Sequence, residues 1–221
     1  MPSFVVLDTE SSVCRDSNVR VLVSLAYEIV DVADGAVRDA HYDLVALPPS
    51  IRLDRSSQPI HGITPATSMR RGRALYHILR DFVDRMVAER PVAIVGHDVV
   101  PDAALLVSEG LRVGLPAARL RGVFRRLLCT KQLAVGHCGI PLPPHLRYDF
   151  PCDVLLHRLN GGGARPAAAA TTGYKWPNLD ECCHLLVGGT GARRYPCHDA
   201  RGDVERCRLV LTRFLVDGCG P

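Results

Sequence analysis

The sequence predicts an α/β protein built on one mixed sheet, and three patterns point that way. Short apolar runs of strand length alternate with segments of helical periodicity along most of the chain. The first three strand-like runs follow one another through tight turn chemistry, as in an antiparallel meander. A chain of 221 residues is also long enough to bury one sizeable core, which favours a single unit over two small ones.

Taken in order, residues 3–7 form a continuous apolar run that ends on Asp8 and Glu10, and they read as a short buried strand. Residues 19–32 read as a second strand. Ala33-Asp34-Gly35 supplies a turn before a third strand near residues 37–46. The proline-rich stretch 48–65 reads as a crossing loop. Leu75, Ile78, Leu79, Phe82, Val83 and Met86 then recur at helical spacing, with charged residues on the other faces. Pro91 ends that helix, and residues 92–95 form another short apolar run. A helix is expected from about Asp102 to Glu109, closing at Gly110, and a strand around residues 127–130. Residues 139–173 contain Gly161-Gly162-Gly163 and an alanine run, so they read as a flexible insertion, with room for a turn or two of helix at 153–159. Asn178 is placed to cap a further helix. The last helix carries Val204, Cys207, Val210, Leu211, Phe214 and Leu215 on one face.

Composition excludes several classes. No apolar stretch is long enough to cross a bilayer, and the first residues lack the positive segment of a secretory leader. The expectation is an intracellular protein, cytoplasmic or nuclear, with no membrane association. The nine cysteines include no CxxC pair and are odd in number, so reduced thiols fit better than a disulfide framework or a zinc site. The net charge of +4 comes almost wholly from arginine, since Lys131 and Lys175 are the only lysines. It is compatible with a polyanionic partner without establishing one.

Three acidic patterns carry the chemistry. Asp8 and Glu10 lie two apart at a strand end, and period-two alternation points both to one face. Two carboxylates there repel each other unless cations or protons neutralise them, and a hard divalent ion suits an oxygen-only pair. The second pattern is Gly96-His97-Asp98-Val99-Val100-Pro101-Asp102, with Asp102 near the start of a helix. The third is His198-Asp199-Ala200-Arg201-Gly202-Asp203. Five residues on an ideal helix turn through about 140° beyond one revolution, so His198 and Asp203 can serve one site only if His198 lies before the helix. Each pattern alone is equally well a solvated loop edge or an acidic first turn.

In this order the three resemble the motifs of the DnaQ-like, or DEDDh, 3′–5′ exonuclease family. The matching segments are Phe4-Val5-Val6-Leu7-Asp8-Thr9-Glu10, Gly96-His97 through Asp102, and His198 through Asp203. His61-Gly62-Ile63-Thr64 and Tyr174-Lys175-Trp176-Pro177-Asn178-Leu179 are similar to segments common in that family. The resemblance runs from Phe4 to Leu215, with the insertion as its gap. It implies an RNase H-like fold, α/β with a mixed five-stranded sheet and helices on both faces, as one exonuclease domain spanning residues 1–221.

It also implies that Asp8, Glu10, Asp102 and Asp203 hold two Mg²⁺ ions, which Mn²⁺ can replace, about 4 Å apart. Asp8, Glu10 and Asp203 would share the ion that activates the attacking water. Asp8, with Asp102 partly through water, would hold the ion at the leaving 3′ oxygen. His198 would be the general base, a role suited to histidine's ordinary pKa near neutrality. Thr9, Ser11, His61 and Ile63 would contact the terminal nucleotide, and His97 would either join them or brace the site. The expected partner is nucleic acid with a free 3′ end, single-stranded DNA ahead of RNA, and a homodimer or a polymerase partner stays open. The alternatives are an RNA-trimming exoribonuclease or oligoribonuclease, a noncatalytic nucleic-acid-binding or polymerase-associated module, and a zinc-bound structural protein. Asp98 and Pro101 depart from the family pattern beside Asp102. Arg193, Arg194 and Arg201 are better placed for substrate phosphates than Arg70, Arg71 and Arg73.

Overall fold

The computed structural model describes residues 1–54, 56–141, 174–188 and 198–216. Its centre is a five-stranded sheet of order β3-β2-β1-β4-β5, formed by β1 (Ser3–Val13), β2 (Arg20–Asp31), β3 (Val37–Leu44), β4 (Ala93–Gly96) and β5 (Leu127–Cys129). β1 pairs antiparallel with β2 and parallel with β4, so the sheet is mixed. The meander appears as expected, and so do the two later strands.

β1 is longer than its apolar run. It continues past Asp8 and Glu10 to Val13 because β2 supplies partners throughout, with Asp8 opposite Ala26 and Glu10 opposite Ser24. Acidic residues have low strand propensity, but cross-strand pairing overrides it. The register shifts between Glu10 and Ser11, a bulge at the acidic end of the strand.

Alternation along β1 sorts its side chains between two cores. Val5 and Leu7 join Ile78, Leu79 and Phe82 of α3 (Leu75–Glu89) and Val99, Ala103 and Leu106 of α4 (Val99–Arg112). Phe4 and Val6 face the other way, against Ala200, Val204, Cys207 and Leu211 of the last helix. The helices therefore cover both faces, and the face that carries Phe4 and Val6 is the one that continues into Asp8 and Glu10.

Several short helices depart from the sequence reading. The expected crossing loop contains α1 (Gln58–His61) and α2 (Pro65–Arg71), each with a proline in its first turn, where the missing N–H has no helical partner to lose. His61-Gly62-Ile63-Thr64 is the junction between them. Gly62 closes α1 with φ 69°, Thr64 caps α2 by accepting from Thr67 N, and Ile63 is buried in the core. α4 begins at Val99 rather than at Asp102. Pro101 sits exposed in its first turn, where proline is tolerated. α5 (Ala117–Val123) and α6 (Thr130–Cys138) were not anticipated, being short or weakly patterned.

Asn178 does cap a helix, α7 (Leu179–Cys182), in a reciprocal capping box with Glu181. One π turn, Cys183–Val187, extends it. The last helix, α8, spans Ala200–Val216. Among the described residues Cys14, Cys129, Cys138, Cys182 and Cys207 are outside any disulfide, and no helix is long and apolar enough to cross a membrane. The insertion expected at 139–173 lies almost wholly outside the described residues, as do Arg193 and Arg194.

Candidate metal and active site

The acidic face of β1 meets the start of α8. Ligand oxygens of Asp8, Glu10 and Asp203 lie within 4.8 Å of one another, and no other group of three such side chains occurs among the described residues. Two of these acids come from the strand and the third from the helix packed over its face. Asp102, from α4 on the opposite side of the sheet, stands outside that group, although its charge raises Asp8 and Glu10, and Thr9 Oγ1 donates a hydrogen bond to its Oδ1.

The acids perturb one another. Burial, with Asp102, Asp203 and Glu10 adding to it, holds Asp8 well above the usual carboxylate range. Glu10 is pushed up to about 8 by burial and then by Asp203, Asp102 and Asp199. Burial raises Asp102 to about 7 despite the Thr9 hydrogen bond. Asp203 is raised by burial as well, against the opposing pull of Arg206 and His198. Such a cluster ionises readily only when a cation joins it. An all-oxygen donor set fits a hard divalent ion and lacks the Cys and His ligands of a structural zinc site.

His198 meets the geometric condition set by the sequence. It lies before α8 with φ 58°, exposed to solvent. Asp199 follows as the helix cap, accepting from Arg201 N at 3.0 Å. The Arg201 guanidinium is bound to the same Asp199 carboxylate at 2.9 and 2.7 Å and stacks on Tyr42 at 4.4 Å. Arg201 is thus committed to the cap. Arg73 is likewise bound to Asp43 and Asp81.

The expected substrate contacts separate. Thr9 spends its hydroxyl on Asp102, and Ile63 is only 8% exposed within the core. Ser11 is half-buried just past the bulge. His61 accepts from Ile63 N through Nδ1 at 3.0 Å, which leaves its buried Nε2 without a partner. Ser57, the residue that precedes α1, is hydrogen-bonded to Ser12 of β1 at 2.5 Å, so His61 is tethered to the acidic strand.

His97 turns out to be a brace. Its Nε2 lies 3.1 Å from the Pro177 carbonyl, which can only accept, so the proton is on Nε2 and Nδ1 accepts from Thr130 Oγ1 at 3.1 Å. Burial lowers its pKa to about 4, in keeping with a neutral ring. The bond ties the segment from Trp176 to Asn178 onto the end of β4. Asp98 is bound by Lys131 Nζ at 3.0 Å, and its charge still raises Asp102.

Sequence reasoning missed two cations. One is Lys131. The other is Arg206, whose guanidinium binds Asp203 Oδ1 directly. The three-residue helical spacing from Asp203 was the available signal.

No family model and no curated protein sequence matches the chain. Solved structures do match, among them a 3′-exonuclease and E. coli exonuclease I. A 3′-exonuclease solved for its 3′-end-specific recognition of a histone mRNA stem-loop superposes with TM-score 0.66 at 12% identity, over 98% of this chain and 64% of its own. E. coli exonuclease I with a dA16 oligonucleotide gives 0.66 at 16% identity, over 99% and 43%. The zinc-bound exonuclease I complex with single-stranded DNA gives 0.68 at 14% identity, over 99% and 42%. The chain therefore has the RNase H-like fold of these enzymes, and it spans about two-fifths to two-thirds of their lengths.

Proposed function

We propose that this protein is a metal-dependent 3′–5′ exonuclease that hydrolyses the terminal phosphodiester of single-stranded nucleic acid, with DNA ahead of RNA. The observation that carries this reading is the convergence of Asp8, Glu10 and Asp203 within 4.8 Å, with Asp102 held beside them by Thr9. The structural neighbours add support, since they act on or bind a nucleic-acid 3′ end or strand.

Asp8, Glu10 and Asp203 would hold one Mg²⁺, and Asp8 with Asp102 a second. Bound there, the ions would supply Lewis acidity toward the phosphoryl oxygens and lower the pKa of a water at neutral pH. His198 takes the proton from the attacking water as general base. Its place outside the helix, open to solvent, lets that proton pass on to bulk water. The Asp199 cap, braced by Arg201, fixes the residue in front of it. Thr9 holds the Asp102 carboxylate in one rotamer, and His61, tethered to β1 through Ser57 and Ser12, would lie beside the terminal nucleotide without presenting its buried Nε2. In this role Ile63 supports His61 from the core and does not itself touch a base.

The test uses 5′-labelled DNA and RNA oligonucleotides with Mg²⁺, Mn²⁺ or EDTA. A one-nucleotide ladder from the 3′ end is expected, abolished by EDTA and by Asp8→Ala. Full activity in Asp8→Ala would overturn the reading. Faster degradation of the RNA strand would reassign the substrate and leave the mechanism standing.

A further inference from the structure

α8 brings a cation to the acids it helps to assemble. Asp203 and Arg206 are three residues apart on this helix and so share a face. The Arg206 side chain is only 12% exposed and its terminal nitrogen binds Asp203 Oδ1. Its Nε is buried, makes no hydrogen bond and lies 3.9 Å from Asp180 Oδ1, on a carboxylate that is half exposed. The guanidinium is thus held against the acid cluster by one direct contact and one distant charge.

A guanidinium cannot ligate a metal, because it has no free lone pair and stays protonated. It can neutralise a carboxylate, and here it does so at one of the three side chains that gather for a cation. A divalent ion arriving at Asp203 meets a positive charge already bound to that carboxylate. The two cations then repel at short range in a partly desolvated site. Asp8 and Glu10 make no ion pair among the described residues, so Arg206 is the guanidinium in direct contact with this trio.

We propose that Arg206 is a resident counter-cation, which stabilises the metal-free acid cluster and raises the divalent-ion concentration at which the site fills. This rests on the reading that Asp8, Glu10 and Asp203 hold the metal. Arg206 is a positioning residue in this account. It sets when the site is loaded and takes no part in bond making. Filling of the site then requires the guanidinium to swing off Asp203, with Asp180 as the nearest acid to receive it.

Mn²⁺ binding by calorimetry, together with melting in EDTA, tests the idea on the full chain and independently of turnover. Arg206→Gln keeps size and polarity and removes the charge. It should bind Mn²⁺ roughly tenfold more tightly and melt lower than the unmodified protein in EDTA. Arg206→Lys retains the charge and should restore both values toward those of the unmodified protein. Unchanged or weaker Mn²⁺ binding in Arg206→Gln overturns the proposal, and so does a lysine variant that behaves like the glutamine one. Asp203→Asn separates this outcome from failure of the metal reading. If Asp203→Asn binds Mn²⁺ as well as the unmodified protein does, the metal site is elsewhere and both readings fall.

Discussion

Raising the pH of the metal-free protein should destabilise it. Glu10 and Asp102, with folded-state values of about 8 and about 7, stay protonated in the folded chain at pH values where the unfolded chain has released both protons. A carboxyl whose folded pKa is raised contributes its full stability below its unfolded value, and that contribution is lost as pH climbs toward the folded one. In the window between the ordinary carboxyl range and about pH 7, each such group costs ~1.4 kcal/mol per pH unit. Two together would give close to 3 kcal/mol per unit. Over the two units from pH 5.5 to 7.5 that amounts to about 5 kcal/mol; with roughly half of it screened by water reaching the partly open Glu10 and its neighbours, about 2–3 kcal/mol is the working figure. For a chain of this size that corresponds to a fall in Tm of roughly 5–10 °C. The assay is thermal unfolding in EDTA across that range, repeated with saturating Mn²⁺. Added metal should reverse the slope, because the ion binds the ionised carboxylates and stabilises the folded chain increasingly as pH rises. Asp8→Asn should flatten the EDTA profile by removing a third carboxyl that keeps its proton in the folded chain. A melting temperature in EDTA that is flat or rises from pH 5.5 to 7.5 would refute the claim that these acids are forced together.

Two further outcomes follow from the geometry. His198→Ala should lower kcat by about 10²–10⁴-fold and leave oligonucleotide binding, measured by anisotropy in Ca²⁺, within a few-fold of normal; a loss confined to binding would make His198 a substrate contact and not the base. Thr9→Val removes the donor to Asp102 and should weaken Mn²⁺ binding several-fold with only about 1 kcal/mol of lost stability, so unchanged binding in calorimetry would show that Asp102 needs no such brace.

Much of the fold was legible because its elements follow simple periods. The three meander strands are strand-length runs separated by turn residues and α3 has helical spacing, and their type and order match the structure. Boundaries failed where tertiary pairing extends an element beyond its own pattern. β1 outran its apolar run because β2 is there to receive Asp8 and Glu10, and α4 began one turn early because Pro101 is harmless in a first turn. The small helices around His61 were hidden in a segment whose prolines suggested a loop, when those prolines in fact start helices. The acids themselves were legible from spacing and order. What surrounds them was not, since Thr9 to Asp102 and His97 to Pro177 span 93 and 80 residues of sequence.

The distribution of countercharge then says where a cation belongs. Several acids lie on the segments that build the site, and they fall into two sets. Asp98 is bound by Lys131, Asp199 by Arg201 and Asp203 by Arg206. Each of these pairs offsets only part of a charge that still reaches the cluster, since Asp98 raises Asp102, Asp199 raises Glu10, and Asp203 raises both Asp8 and Glu10. Asp8, Glu10 and Asp102 have no ion pair among the described residues, and all three are held above the ordinary carboxylate range, with burial as the largest cause in each case. A site meant only to be stable would pair these acids or replace them with apolar residues, since an uncompensated buried charge is among the most costly features a fold can keep. Leaving them unpaired at the junction of β1, α4 and α8 is reasonable only if something positively charged arrives from solution. Arg206 stands between the two sets, bound to the one member of the cluster that already has a partner, and this makes it the residue through which metal loading can be adjusted without touching the unpaired acids.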